Sequence, residues 1–361
     1  MEKKTLYVAI TNHGFGHATR ATAVAATVKR LNPEIEIILA TTAPRWLLES
    51  YFEGDFVLRE MALDIGVIQP NSLTMDKAAT LAALKDIRRR QSELVEQEVS
   101  FLEENTVDLV LGDIPPLIAI AAQNANIPCW MMSNFGWDFI YRPWGDEFVV
   151  MADWIADCFR QCDRLFRLPF HEPMTAFSTI TDVGLVGGTP RVEEGELRSR
   201  FNLSAPKAKT VLLTFGGLGL AQIPYENLQR FPDWQFITFD RKAPELANLC
   251  RVTDQQLRPV DFMPLCDRVV SKPGFSTFSE ACRLDIPVVT VTRDDFAEGP
   301  VLVESLRHYS FHQILSPEEF AEGDWQFLLK DLTPPQNPRS LSKTGNQEIA
   351  TEIISFLSNQ S

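Results

Sequence analysis

One stretch of this chain, residues 269–281 with the sequence VVSKPGFSTFSEA, combines the residue types that hold phosphate. Val269 and Val270 end a strand, Pro273 and Gly274 turn the chain, and Ser276 begins a helical run through Ser279, Glu280 and Ala281. A strand that turns directly into a helix leaves backbone N–H groups and the positive end of the helix dipole facing whatever sits above it. An anion, usually phosphate, suits such a place. Glu280, one turn inside the helix, can accept from two neighbouring ribose hydroxyls. The pattern predicts a nucleoside-diphosphate cradle, and it also fits a plain corner with a serine cap and a solvent-facing glutamate.

A second set lies near the N-terminus. His13 and His17 bracket Gly14 and Gly16, and a histidine is the side chain that exchanges a proton near neutral pH. The glycines let a substrate approach the backbone. A histidine at a helix start can equally hydrogen-bond its own turn. Asp113 ends an LGD segment ahead of Ile114-Pro115-Pro116, where an aspartate also serves as a helix cap.

The elements that must position these groups alternate. Residues 5–11 read as a buried strand, 17–31 as an Ala-rich helix and 35–41 as a second strand after Asn32-Pro33. Strand, helix and strand with short joints make a βαβ unit and a parallel sheet. A long amphipathic helix over 81–104 feeds a strand at 107–111, the Pro115-Pro116 pair opens another helix, and 128–132 is the next strand. A similar series starts near 207, with strands at 210–215, 235–239, 268–271 and 287–292. The glycine- and proline-bearing stretch from 184 to 206 has few apolar periods. The expected organisation is therefore an N-terminal Rossmann-like domain over 1–183, a linker over 184–206 and a second Rossmann-like domain over 207–335. A strap and helix over 336–361, with Ile349, Ile353 and Phe356 on one face, would pack back on the first domain. Two such halves facing each other leave a cleft at the carboxyl edges of their sheets, where ligands bind.

Composition narrows the partners. With 45% hydrophobic and 23% charged residues the chain can bury real cores, and a net charge of −14 argues against nucleic acid. The run Arg88-Arg89-Arg90 sits among glutamates and reads as a solvated face or a dock for an acidic head group. Six scattered cysteines without a CxxC pair fit reduced thiols, and no leader or membrane-spanning run is evident, so a cytoplasmic location is expected. Phe135, Trp137, Phe139, Tyr141 and Trp144 cluster after the strand at 128–132, as an acceptor platform or as core.

The motif set resembles the GT-B glycosyltransferases, the group with the plant UDP-glucosyltransferases and the MurG-type enzymes of cell-wall synthesis. The residues concerned are HGFGHATR (13–20), TFGG opening the second series, and SKPGFSTFSEA. More specifically, the chain is similar to the N-terminal, glycosyltransferase-like half of plant L-arabinokinase. That likeness extends through LDIGVIQPNSLTMD (63–76), SNFGWDFIY (133–141), RLPFHEPMTAF (167–177) and VTRDDFAEGP (291–300). No GxxxxGKS/T loop is present, so kinase activity is not expected.

The resemblance implies an inverting, metal-independent transfer of a sugar from a nucleotide-sugar, UDP-linked, to an acceptor hydroxyl, with no cofactor beyond that co-substrate. His17 would be the base and Asp113 its orienting partner, with His13 as the rival base. Gly216, Gly217, Gly274, Ser276 and Thr277 would hold the diphosphate and Glu280 the ribose, with Lys272 among the donor-binding residues. Asp295, then Glu298, with Asp294 beside them, would meet the hydroxyls of the donor sugar. Gly14, Gly16, Arg20, Asn134 and Trp137 would lie on the acceptor side or in the cleft, and Arg20, where many relatives carry a proline, would add a positive charge near the diphosphate or the acceptor. The acceptor, a small molecule or a lipid-linked one, is not specified. A nucleotide-sugar epimerase or hydrolase, or a non-catalytic nucleotide-sugar-binding regulator, stands as the alternative.

Overall fold

The computed structural model describes residues 3–69, 75–216, 223–293, 295–337 and 341–360. The chain divides into two compact units, one of residues up to 187 together with 342 onward, the other of residues 188–341. Of the stretch 184–206, the first four residues thus cluster with the first unit and the rest with the second.

The first unit runs β1 (Thr5–Ile10), α1 (Gly16–Leu31), β2 (Glu36–Ala40), α2 (Arg45–Tyr51), β3 (Val57–Arg59), α3 (Lys77–Arg89), α4 (Gln91–Glu104), β4 (Leu109–Asp113), α5 (Pro116–Asn124), β5 (Cys129–Ser133), α6 (Trp137–Tyr141), α7 (Asp146–Phe159), β6 (Arg164–Arg167) and β7 (Ile180–Asp182). Its seven-stranded sheet has the order β3-β2-β1-β4-β5-β6-β7, and every pairing in it is parallel. Strands covered on both faces can be apolar throughout, and β1, TLYVAI, is buried at every position. Against β1 and β2 lies α1, whose alanines at 18, 21, 23 and 25 are all buried. Small side chains there let the helix sit close to the sheet.

The second unit continues with α8 (Glu194–Arg200), β8 (Thr210–Leu213), β9 (Gln235–Thr238), β10 (Leu249–Arg251), α9 (Pro259–Phe262), β11 (Arg268–Ser271), α10 (Phe275–Arg283), β12 (Val288–Val291), α11 (Glu298–Tyr309), β13 (His312–Leu315) and α12 (Pro317–Ala321). Its six-stranded sheet, again parallel, has the order β10-β9-β8-β11-β12-β13. Val211, Leu213, Val270, Val289 and Val291 on these strands build one core with Phe215, Phe236 and Trp325. A last helix, α13 (Gly345–Asn359), belongs to the first unit and packs on α1. It buries Ile349 and Ile353, and Phe356 meets Trp130 at 4.9 Å between ring centres.

Two local expectations change. The long helix over 81–104 is two helices, α3 and α4, broken at Arg90. The break falls at the end of the three adjacent arginines, where Arg89 pairs back to Asp86 while Arg90 pairs forward to Glu93. Secondly, Asp113 is the last residue of β4, and the N-cap of α5 is Pro115, so Asp113 does not act as a cap. Among the described residues no helix is long and apolar enough to cross a membrane, and all six cysteines are free.

Candidate functional site

In each sheet the strand order reverses direction at one pair: β1 beside β4 in the first, β8 beside β11 in the second. Connections leave in opposite senses there, which opens the carboxyl edge of the sheet to ligands. Both groups of chemistry-bearing residues fall at these two points.

In the first unit the register sets Ile10 opposite Asp113, and the Thr11 N–H donates to the Asp113 carbonyl at 3.2 Å. The turn after β1 thus delivers His17, the second residue of α1, to the end of β4. His17 Nδ1 lies 2.9 Å from Asp113 Oδ1, with His17 6% and Asp113 0% exposed. The next residue, Ile114, is buried with φ of 57°, a left-handed conformation that a β-branched side chain resists. Strain of this kind, about 1–3 kcal/mol, persists where the surroundings over-determine it.

Arg20, one turn along α1, decides the tautomer of His17. Its Nε donates to Asp113 Oδ2 at 2.7 Å, and Nη1 donates to Asn134 Oδ1 at 2.7 Å. Nη2 donates to Asp113 Oδ1 at 2.6 Å and to Ser133 Oγ at 3.1 Å, which accounts for both of its hydrogens. Nη2 also stands 3.0 Å from His17 Nδ1, but it has no hydrogen left for that nitrogen. The proton is therefore on Nδ1, donated to Asp113, and Nε2 carries the lone pair. Burial pushes the Asp113 carboxyl up; the charges of Arg20 and His17 and their hydrogen bonds outweigh it and hold it below the ordinary carboxylate value.

His13 is arranged differently. Its Nδ1 accepts from the Val67 N–H at 3.3 Å, which puts the ring proton of the neutral imidazole on Nε2 and engages the lone pair of Nδ1 with the backbone. Gly66 makes the approach possible: its φ is +56°, and a Cβ there would come within 2.7 Å of His13 Cβ. Beside the two histidines is a carboxylate that sequence reasoning gave no role, Asp64, 6% exposed. It accepts from the Asn12 N–H at 2.9 Å, from Thr11 Oγ1 and from Trp137 Nε1 at 3.1 Å. Burial raises its pKa against those hydrogen bonds and the charge of His17. An acid inside the apolar LDIG segment was its only signal.

Of the residues assigned to the acceptor side, Gly14 and Gly16 are exposed, whereas Arg20, Asn134 and Trp137 are each 1% exposed and stand behind His17. Phe135, Trp137 and Tyr141 are core: Trp137 stacks on Tyr141 with ring centres 5.6 Å apart, and Phe135 packs edge-on to His17 at 5.6 Å. Phe139 and Trp144 are partly exposed. Glu172, also unassigned from sequence, fastens this loop from behind. Its carboxylate accepts from the Gly136 N–H at 3.2 Å and the Met174 N–H at 2.5 Å.

In the second unit Gly274 is the N-cap of α10 and brings no side chain to its N–H groups, and Ser276 and Thr277 lie in the first turn. Lys272 follows β11 directly. Its Cε and Nζ would lie 3.5 and 4.0 Å from a Cβ on Gly216, whose φ of +75° admits glycine most readily. Burial first, then the charge of Arg293, push the Lys272 pKa down to about 8 against the pull of Glu298. Glu280 is 4% exposed and accepts from the Gly188 N–H at 2.8 Å, while Arg283 Nη1 donates to the Gly188 carbonyl at 2.8 Å. Asp295 is exposed and Glu298 buried in the first turn of α11. Gly217 and Asp294 lie outside the described residues.

No protein-family model matches the chain. Arabidopsis thaliana L-arabinokinase is 28% identical over 338 residues, covering 88% of this chain but 31% of that protein, so the match spans about a third of the relative. Solved structures with a similar fold include the calicheamicin glycosyltransferase CalG4, with a TM-score of 0.65, 14% identity and 99% of each chain covered. Another is Medicago truncatula UGT71G1 complexed with UDP-glucose, with a TM-score of 0.62, 13% identity, and 97% of this chain and 93% of that one covered. A third, from Listeria monocytogenes, is named for UDP-N-acetylglucosamine 2-epimerase and has a TM-score of 0.60, 13% identity, and 99% and 98% coverage. At such identities the likeness carries the fold: two Rossmann-like domains with parallel sheets, the GT-B architecture.

Proposed function

We propose that this chain is a glycosyltransferase that moves a sugar from a nucleoside-diphosphate sugar, UDP-linked, to an acceptor hydroxyl, with inversion at the anomeric carbon. The observation that carries this reading is the His17–Asp113 pair, with Nδ1 2.9 Å from Oδ1 at the reversal point of the first sheet. His17 Nε2 takes the hydroxyl proton as the acceptor oxygen bonds to the anomeric carbon, and the bond from that carbon to the diphosphate breaks, its electron pair leaving with UDP. Asp113 holds the tautomer and stabilises the imidazolium that forms. The first turn of α10, with Gly274, Ser276 and Thr277, receives the diphosphate, and Glu280 the ribose. Asp295 and Glu298, with Asp294, contact the sugar. No metal or further cofactor enters this reading, and the free thiols suit a reducing compartment such as the cytoplasm.

The test is a His17→Ala variant assayed for donor-dependent sugar transfer and, separately, for UDP binding. Transfer lost with binding intact supports the base; transfer undiminished in the variant rules it out. The epimerase-named neighbour motivates a second reading, in which the donor sugar is rearranged or released without an acceptor. Product analysis of the donor alone separates the two: an epimerised or hydrolysed sugar formed without any acceptor would favour it.

A further inference from the structure

Four arginines among the described residues are buried, Arg20, Arg258, Arg268 and Arg293, and the difference between the first and the last points to a ligand. Arg20 uses the side edge of its guanidinium, Nε and Nη2, to grip Asp113. Arg293, 7% exposed, presents the same two nitrogens, and neither Nε nor Nη2 has a hydrogen-bond partner among the described residues. That edge is the fork that matches a carboxylate or phosphate through two parallel hydrogen bonds. Asp295 and Glu298 are close enough to act on Arg293 electrostatically. Arg293 packs over Phe296, 4.6 Å from its ring centre, which holds the group in place without satisfying it.

Its position is at the phosphate cradle. Ser271, the last residue of β11, pairs in register with Thr290 of β12, so Lys272 and Arg293 leave neighbouring strands at the same carboxyl edge. The Ser271 and Thr290 hydroxyls at that edge are buried and also without a hydrogen-bond partner among the described residues. Two cations gathered beside the N-terminus of α10, one with its fork unmade, are unfavourable in the protein alone. Ligand charge resolves that.

We propose that Arg293 is a diphosphate-binding residue of this chain and that, with Lys272, it selects donors carrying a diphosphate over those carrying a single phosphate. The proposal rests on the transferase reading for its donor. Departure of the diphosphate gathers charge on the oxygen released from the anomeric carbon, and a bidentate guanidinium with an ammonium beside it stabilises that charge as it develops.

Calorimetric titration of the full chain with UDP, UMP and inorganic pyrophosphate tests it, on wild type, Arg293→Met and Arg293→Lys. Expected is a roughly 10- to 100-fold loss of affinity for UDP and pyrophosphate in Arg293→Met, a smaller loss for UMP, and an intermediate loss in Arg293→Lys, which keeps the charge without the fork. The ligand-free Arg293→Met protein should also melt higher than wild type, because an unmade buried fork has been removed. Unchanged UDP and pyrophosphate affinity in both variants overturns the proposal and leaves the transferase reading standing. Wild type that binds both ligands through Arg293 but transfers no sugar under any acceptor sinks the transferase reading and leaves the anion site. Wild type that binds neither ligand sinks both.

Discussion

Arg20 and Asp113 meet edge to edge, with Nε 2.7 Å from Oδ2 and Nη2 2.6 Å from Oδ1, and neither residue is more than 1% exposed. A carboxylate of this kind would ordinarily be neutralised by the histidine it orients. Here it is already neutralised by a guanidinium, which also donates to Ser133 and Asn134. The pair therefore shapes two properties, the stability of the first unit and the tautomer of His17.

For stability, Arg20→Met should cost about 3–5 kcal/mol, because it leaves the Asp113 charge buried beside His17 alone. The double variant Arg20→Met/Asp113→Leu should recover much of that loss, since removing both charges is far less costly than removing one. Urea unfolding measures both. A double variant no more stable than the single one would show that the pair is not the source of the loss.

For catalysis, Asp113→Asn should lower the transfer rate by on the order of 10²–10⁴, because an amide can present its N–H to Nδ1 and favour the wrong tautomer. His17→Ala should lose at least as much. His13→Ala should lose less than either, since the His13 Nδ1 already accepts from Val67 and its proton sits on the other nitrogen. Steady-state rates at saturating donor order the three; His13→Ala falling furthest would reverse the roles of the histidines.

Much of this was legible before any coordinates. The two alternating series predicted two parallel sheets because strands buried on both faces must be apolar throughout, and the motifs at 13–20 and 269–281 lie where those sheets reverse. The short strands β3, β7 and β10, three residues each, were not legible, since a segment that brief carries no period. Asp64 and Glu172 escaped for another reason: each acts through backbone N–H groups far away in sequence, Asn12 for one and Gly136 for the other. Arg293 was visible only as one charge in an acidic run. Its meaning comes from burial, which no spacing rule reports.

Glu172 gives the first unit a pH response. Burial raises its pKa from 4.5 to about 7, with the Met174 and Gly136 N–H groups opposing and Asp138 adding to the rise. A folded value above the unfolded one means the contribution is complete below about 4.5 and is lost as pH climbs through about 7. The thermal midpoint of the ligand-free protein should therefore decline from pH 5 to pH 8, by a term of order 3 kcal/mol at most. Glu172→Ala should flatten that slope whatever its effect on the midpoint itself. An equal slope in the variant would assign the response to another group.

Lys272 gives the second unit a response of opposite sense. Burial and the charge of Arg293 lower its pKa from 10.5 to about 8 in the ligand-free protein, with Glu298 opposing. A depressed folded value means the contribution to stability is complete above about 10.5 and is lost as pH falls through about 8, where the buried ammonium forms. A bound diphosphate reverses the preference, because the charged form then has a partner. Binding UDP near pH 8.5 should thus draw a proton from solvent, and UDP affinity should fall as pH rises from 7 to 9.5. Titration in two buffers of different ionisation enthalpy reads the proton uptake directly, and Lys272→Met should abolish it. Proton uptake that persists in Lys272→Met would move the titrating group elsewhere in the cradle and leave Lys272 a bystander to the anion.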